Sequence, residues 1–387
     1  MSRLIAVPIG QGDAFYLESN GWSVLVDGGR SRSGFASAFQ TATRADGASV
    51  VVCTHNDADH ANGILGFLEA GFRCGEVWLP GRWLGVLPSV LRPFVEVFVD
   101  LADNVAQVSR QEGVSSIEGY AEQLGESSNE DSTNQEGPSV GEDGWPESYV
   151  EMLEQAEPWE VAPWVRLWPP EDLPFFLYRH YRRLEPAGVQ LLWSAIDAAS
   201  RIRAIAIETF HRGIPVRWFE FDTATPSGGA AALQPLNARA VATVRPRVGP
   251  LLAFLALTVS NRQSLVFWSP PKDQHPGVLF TAYSDLSGVS LPSQLSGAIV
   301  TAPHHGSEAN ANAYAAVATA TQQHSPSVTW VRSDGRYRSR PGPTYRSLSS
   351  RRFCTLCRNV SFSKQAVHLV AQGGLWTPQG TRPCHCR

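Results

Sequence analysis

The chain has 387 residues, 43% of them hydrophobic, enough for one large α/β core or two smaller domains and too apolar for a disordered protein. Its net charge of −4 conceals a segregation: residues 111–160 hold 14 acids and no Lys or Arg, so the remainder carries +10. Arg supplies 30 of the 32 basic residues, and from Ala309 onward eleven bases face a single acid, Asp334, a balance that suits either a phosphate-bearing partner or simply an Arg-favouring genome.

In chain order, Leu4 to Ile9, Ala14 to Glu18, Trp22 to Val26 and Ser49 to Cys53 have the β-branched and aromatic content of strands, separated by Gly-rich turns. Phe35 to Thr43 and Ile64 to Ala70 pattern as short helices, so an α/β sheet begins here. Leu91 to Val108 and Phe175 to Ala206 pattern as helices, the latter with a basic face at Arg179, Arg182 and Arg183. Between them, residues 111–147 are rich in Glu, Ser, Gly, Asn and Gln, which predicts a mobile acidic loop at the tip of a helical insertion spanning 83–204. Strand patterns return at Pro215 to Phe221, Ala253 to Val259, Ser264 to Trp268, Val278 to Ala282, Ala298 to Thr301 and Val328 to Arg332, with a helix over Ser307 to Thr321. The expected division is therefore a core in two halves, 1–82 and 205–350, around the insertion, with an Arg- and Cys-rich tail over 351–387.

The N-terminus carries no signal-peptide pattern, and the longest uncharged apolar stretch, between Arg247 and Arg262, is shorter than the ~20 residues of a membrane span. Six cysteines, four of them near the C-terminus, do not make a secreted disulfide framework. A soluble chain in a reducing cytoplasm, with no membrane partner, is expected.

The chemistry concentrates where strands end. Ser49 to Cys53 runs into Thr54-His55-Asn56-Asp57-Ala58-Asp59-His60, four metal-ligand side chains on one short post-strand loop. Imidazole nitrogen with carboxylate oxygen suits Zn, Mn or Fe, and the alternation divides naturally between two adjacent ions. The strand Ala298 to Thr301 ends in Ala302-Pro303-His304-His305-Gly306-Ser307, and Val278 to Ala282 ends near Asp285. At the C-terminus, Cys354 and Cys357 with Cys384 and Cys386 are either the ligands of a structural zinc, with His385 as a substitute, or four reduced surface thiols.

Taken together, Ile9 to Ala14, Leu25 to Gly29, Thr54 to His60, Asn261 to Val266, Leu279 to Asp285 and Pro303 to Ser307 resemble, in order and spacing, the metallo-β-lactamase superfamily, and within it the soluble hydrolase domain of ComEC-type competence proteins. The resemblance implies an α/β fold, an αββα sandwich, interrupted here by the helical and acidic insertion and followed by the short Cys-rich tail. It also implies ester hydrolysis, usually of a phosphodiester, by metal-bound hydroxide on one or two Zn or Mn ions. Residue by residue, His55 and Asp57 would hold one metal, Asp59 and His60 the other, Asp285 would bridge them, and His305 is the preferred ligand of the His pair. His304 would then be a phosphate contact or general acid, Asp57 or Asp59 would orient the hydroxide, and Asp27 would hydrogen-bond the ligand loop. Gly28 and Gly29 either let that turn approach the site or form an ordinary tight turn.

Two departures stand out. The Gly-Asp that the family carries after its inner strand is loosened to Ala282-Tyr283-Ser284-Asp285, and Arg340 stands before Pro341 where the competence-type pattern has His. Arg340 either grips a substrate phosphate, with Arg338 and Arg336, or marks a weakly held metal. The expected function is a phosphodiesterase or nuclease acting on nucleic acid, within a bacterial defence or DNA-processing system. A hydrolase of small phosphoesters and a partner-binding subunit with a degenerate metal site, docked through the acidic insertion, are the alternatives.

Overall fold

The computed structural model describes residues 2–112, 114–124, 137–159, 175–246, 249–259, 263–272, 275–321, 327–333, 340–357 and 365–386. The chain divides into two compact units, one made of Met1–Pro80, Arg217–Ala240 and Asn261–Arg387, the other of Gly81–Val216 and Val241–Ser260.

The first unit holds both sheets. Its nine-stranded sheet begins with β1 (Arg3–Ala6), β2 (Phe15–Ser19), β3 (Trp22–Val26), β4 (Gly47–Val52), β5 (Arg73–Pro80) and β6 (Val216–Phe221). The six-stranded sheet contains β7 (Gln234–Pro235), while β8 (Ala238–Ala240) returns to the first sheet. The second sheet is completed by β9 (Phe267–Ser269), β10 (Val278–Phe280), β11 (Ile299–Thr301), β12 (Thr329–Arg332) and β13 (Arg352–Cys354). Finally β14 (Val367–Gln372) and β15 (Leu375–Pro378) extend the first sheet beyond β1. The segment expected to be a tail thus supplies an edge of each sheet.

Period-two alternation explains the core. Val24, Val26, Val50, Val52 and Trp78 of the first sheet share one buried cluster with Phe267, Val278, Phe280, Ile299 and Val331 of the second. The intervening residues face outward and are covered by helices. α1 (Arg32–Thr43) and α2 (Ala58–Glu69) lie together on the first sheet, where Phe39 packs edge-on against Tyr16 and Phe67. The helix Ala311–Thr321 covers the second sheet, with Tyr314 against Trp330. Phe39, fully buried, also stacks with Phe35, so truncating it to Ala would cost ~3–5 kcal/mol.

Strands β3, β4 and β5 are parallel, as are β10, β11, β12 and β13. The segments that follow β3, β4, β10, β11 and β12 therefore leave carboxyl ends, where backbone groups and side chains converge outside a parallel sheet.

The second unit is helical. Phe98, Leu101 and Val105 on Phe94–Glu112 are buried, as are Leu192, Ile196 and Ile202 on Pro186–His211. Arg203, 6% exposed, donates to the carbonyls of Val90, Arg92 and Glu157, and burial lowers its pKa to about 10. Three expectations are corrected in this unit. Residues 253–259 are not a strand but lie in and just beyond the helix Leu251–Thr258, since an apolar run of that length does not distinguish a buried strand from a buried helix. The region 175–206 is two helices, because Pro186 starts a new one. The acidic loop is partly helical, at Ile117–Leu124, and part of it, 125–136, lies outside the described residues. Among the described residues no helix is long and apolar enough to cross a membrane.

Candidate metal centre

The loop after β4 leads directly into α2, which begins six residues earlier than the pattern suggested, with Asp57 at its N-cap position. Asp57 makes no side-chain capping bond, unusual for a residue type that favours this position for that purpose. Its Oδ1 is instead buried and finds no hydrogen-bond partner among the described residues, as is true of Nε2 of His55 and Nε2 of His60.

Both imidazoles are held with this nitrogen bare. Asp27 accepts from the Thr54 backbone amide at 2.8 Å and the Thr54 hydroxyl at 2.8 Å, and lies 2.7 Å from Nδ1 of His60. The Thr54 oxygen, its proton given to Asp27, accepts from Nδ1–H of His55 at 2.9 Å. With Nδ1 protonated in each ring, Nε2 carries a lone pair. Nε2 of His55 is 3.6 Å from Asp57 Oδ2, and the His55 and His60 rings lie 4.1 Å apart. Burial opposes charge on His60, but Asp27 outweighs it and raises its pKa, so the Nε2 lone pair of this ring is set up to take a positive partner, a proton or a metal cation.

Asp27 has a left-handed backbone at φ 59°, and the glycine after it is required by space. A Cβ on Gly28 would lie 2.3 Å from the backbone of Gly63 in α2, so this turn is a close approach.

The second side of the centre comes from the loops after β10 and β11. His304 and His305 both have left-handed backbones, at φ 46° and 54°, an arrangement that non-glycine residues keep only when their surroundings over-determine it. His305 is fully buried, its Nδ1 2.9 Å from Asp13 Oδ1 and 3.1 Å from the Ser333 carbonyl. Asp13, His60 and His305 each offer a ligand atom, and these atoms lie within 4.8 Å of one another. Gly12 brings Asp13 in: a Cβ there would lie 1.8 Å from the Asp59 carbonyl oxygen.

Asp285 does not join this group. Its Oδ1 accepts from the Ser287 amide at 2.9 Å in a local turn. Ala282, left-handed at φ 46°, redirects the chain as it leaves β10 and presents Tyr283 instead. The Tyr283 hydroxyl donates to Asp59 Oδ2 at 3.0 Å and lies 2.8 Å from Nε2 of His305, while its ring lies 4.6 Å from His55 and 4.5 Å from His60. Burial raises the Tyr283 pKa, with Asp59 and Asp57 adding to it, so the phenol keeps its proton. Burial also opposes charge on Asp59, yet the hydrogen bond and charge of His305 hold its carboxyl well below the usual range.

His304 faces a different neighbour. Its ring stacks on Tyr283 at 3.8 Å, Nδ1 lies 3.1 Å from Asn310 Oδ1, and Nε2 accepts from Arg340 at 2.7 Å. Burial and then the Arg340 cation lower its pKa to about 2, which favours the neutral ring. Arg340 is therefore at the edge of the centre. Arg336 and Arg338 lie outside the described residues, and Arg332 is turned inward, 1% exposed, bonding the His305 carbonyl.

Sequence reasoning missed Asp13 and Tyr283. Asp13 sits in the Gly10–Asp13 turn, within the Ile9 to Ala14 motif, and Tyr283 stands two residues before Asp285.

Cys354, Cys357, Cys384 and Cys386 form a second group whose ligand atoms lie within 4.8 Å of one another. The two groups contain residue types that hold metal ions. No protein-family model matches the chain, and no curated protein matches it.

Proposed function

We propose that the protein is a metal-dependent hydrolase that works with one catalytic divalent cation, Zn or Mn, and acts on phosphodiesters, nucleic acid first among them. One observation carries this reading: among the described residues, Nε2 of His55, Oδ1 of Asp57 and Nε2 of His60 are buried with no hydrogen-bond partner. Leaving three such atoms dry costs roughly 1–3 kcal/mol each, a penalty that a cation removes. These three residues would hold it, with Asp27 and Thr54 orienting the imidazoles. The two-sheet core covered by helices on both outer faces, with the centre at carboxyl strand ends, supports the αββα reading of the metallo-β-lactamase resemblance.

A cation there supplies Lewis acidity and lowers the pKa of water from about 15.7 to about 7. The chain's own residues do the rest. Three protein ligands leave a position open for water or substrate. Asp59, held ionised by its His neighbours, accepts the hydrogen bond of the Tyr283 hydroxyl and can orient a nucleophilic water. Arg340, beside His304, is placed to bind a phosphate oxygen.

Tyr283 also favours a second reading. Its hydroxyl lies between Asp59 and His305, where a second ion would need a carboxylate, so the centre suits a binding subunit with a reduced metal site. Metal analysis of the purified protein together with cleavage assays on single-stranded and duplex DNA, RNA and small chromogenic diesters separates the readings. Cleavage that needs added Zn or Mn and is lost in Asp57→Ala is expected. Metal bound without turnover of any of these substrates overturns the hydrolase and leaves the binding subunit. Turnover of small diesters that DNA does not inhibit overturns nucleic acid as substrate.

A further inference from the structure

The C-terminal cysteines are built into the fold. Cys354 ends β13, an edge of the second sheet, and the Cys384 amide donates to the Arg352 carbonyl at 2.7 Å, pinning the end of the chain to that strand. The Sγ of Cys357 lies 3.1 Å from that of Cys386 and 3.6 Å from that of Cys384, and Cys386 is 3.9 Å from Cys354. A tetrahedral zinc with ~2.3 Å bonds to sulfur has S–S edges of about 3.8 Å, so these thiols already approximate the corners of one site. The Leu356 amide donates to Cys354 Sγ and the His385 amide to Cys357 Sγ, both at 3.3 Å, interactions that favour thiolates over thiols. Gln365 holds the same turn through the carbonyls of Cys354 and Cys357, at 2.9 and 3.0 Å.

A second feature ties this cluster to the metal centre. The buried Arg332 guanidinium donates from Nη1 to Cys354 Sγ at 3.4 Å and from Nε to the His305 carbonyl at 2.6 Å. Four thiolates on a divalent cation carry a net charge of −2, and a cation in contact with one of the sulfurs offsets part of it where the dielectric is low. Four adjacent thiols do not all ionise unless a cation joins them.

We propose that Cys354, Cys357, Cys384 and Cys386 bind one Zn2+ as a tetrathiolate, and that Arg332 links this centre to the strained turn carrying His305. The tail site stands whether or not the His–Asp centre is catalytic, while the link to His305 rests on that centre holding a metal. Zinc binding here consumes no oxidant: the thiol protons pass to solvent as four Zn–S bonds form.

The test begins with unaltered protein purified under reducing conditions. Titration with an organomercurial, read by a zinc-sensitive dye, should release one equivalent of zinc as the four thiols react. Thiols that titrate with no zinc released, or two disulfides found by mass spectrometry of the alkylated protein, would overturn the site. Cobalt loading should give the strong thiolate charge-transfer band, present in His60→Ala and absent from Cys384→Ser/Cys386→Ser. Arg332→Gln should weaken the tail zinc by roughly 10–100-fold, with partial recovery in Arg332→Lys, which keeps the charge. Equal affinities in all three would remove Arg332 from the proposal. For the link, release of the tail zinc by the mercurial should shift the visible bands of cobalt at the His–Asp centre, and unshifted bands would sink it. If the His–Asp centre takes no cobalt at all, the hydrolase reading and the link fall together, and zinc release at the tail still decides the tetrathiolate.

Discussion

The two clusters of metal-ligand side chains are assembled in opposite ways. The cysteine group draws on two short segments, Cys354 to Cys357 and Cys384 to Cys386, and its four ligand atoms are of one kind. The His–Asp group takes His55, Asp57 and His60 from one loop and the start of α2, and sets them beside Asp13, Tyr283 and His305 from three other loops, with rings oriented by neighbours such as Asp27, Thr54 and Asn310. Four like thiolates close a coordination sphere and suit a staple, whereas three mixed ligands with fixed tautomers leave it open. Closure needs only proximity. An open site needs its ligands held by other residues.

The largest effect expected from breaking this contrast is at His60. His60→Ala removes a bare Nε2 and the contact with Asp27, so the catalytic metal and all metal-dependent cleavage should disappear while the tail zinc remains, as elemental analysis of the variant beside the unaltered protein would read. Loss of both metals together would mean that the clusters are not independent. The next change tests the tyrosine. Tyr283→Asp replaces the phenol between Asp59 and His305 with a carboxylate, and the His–Asp centre should then bind two ions instead of one, measured by manganese titration with the tail site intact. A smaller change is expected at Asp27, which orients without ligating. Asn is the substitution to use, because it tolerates the left-handed backbone at φ 59°. Asp27→Asn should lower affinity at the His–Asp centre by roughly 10–100-fold and leave the tail unaffected. Isothermal titration with manganese would show it, and an unchanged affinity would remove Asp27 from the design.

The ligand loop was legible because four ligand residues follow a β-branched strand within seven residues, a local pattern that survives without knowledge of the fold. The strands around it were legible for the same reason, and β3 was placed to the residue. What failed depended on distant contacts. Asp13 gains its role only because Gly12 allows its loop to meet Asp59, and Tyr283 replaces Asp285 only because Ala282 turns left-handed after β10. Neither event leaves a periodic signal. β5, β14 and β15 were missed as well: β5 is exposed and polar in its first half, and the other two take their place by pairing with and beside β1, far away in sequence. The cysteine pairs were read as a tail because spacing does not reveal that β13 is a sheet edge.

Arg340 gives the smallest expected effect and the most specific one. The guanidinium sits at the edge of the centre, bonded to Nε2 of His304, and adds a positive charge there. A cation there repels a second metal ion and attracts a phosphate, so it fits a site with one metal and an anionic substrate. If it grips nucleic acid through the backbone, Arg340→Gln should weaken binding about equally across sequences and reduce the salt dependence of log Kd by about one unit. KM should rise with kcat nearly unchanged, because a contact made equally in ground and transition states is lost. Steady-state cleavage at several salt concentrations measures both. A fall in kcat with an unaltered salt slope would instead place Arg340 behind His304, holding the ring against Tyr283 rather than touching the substrate.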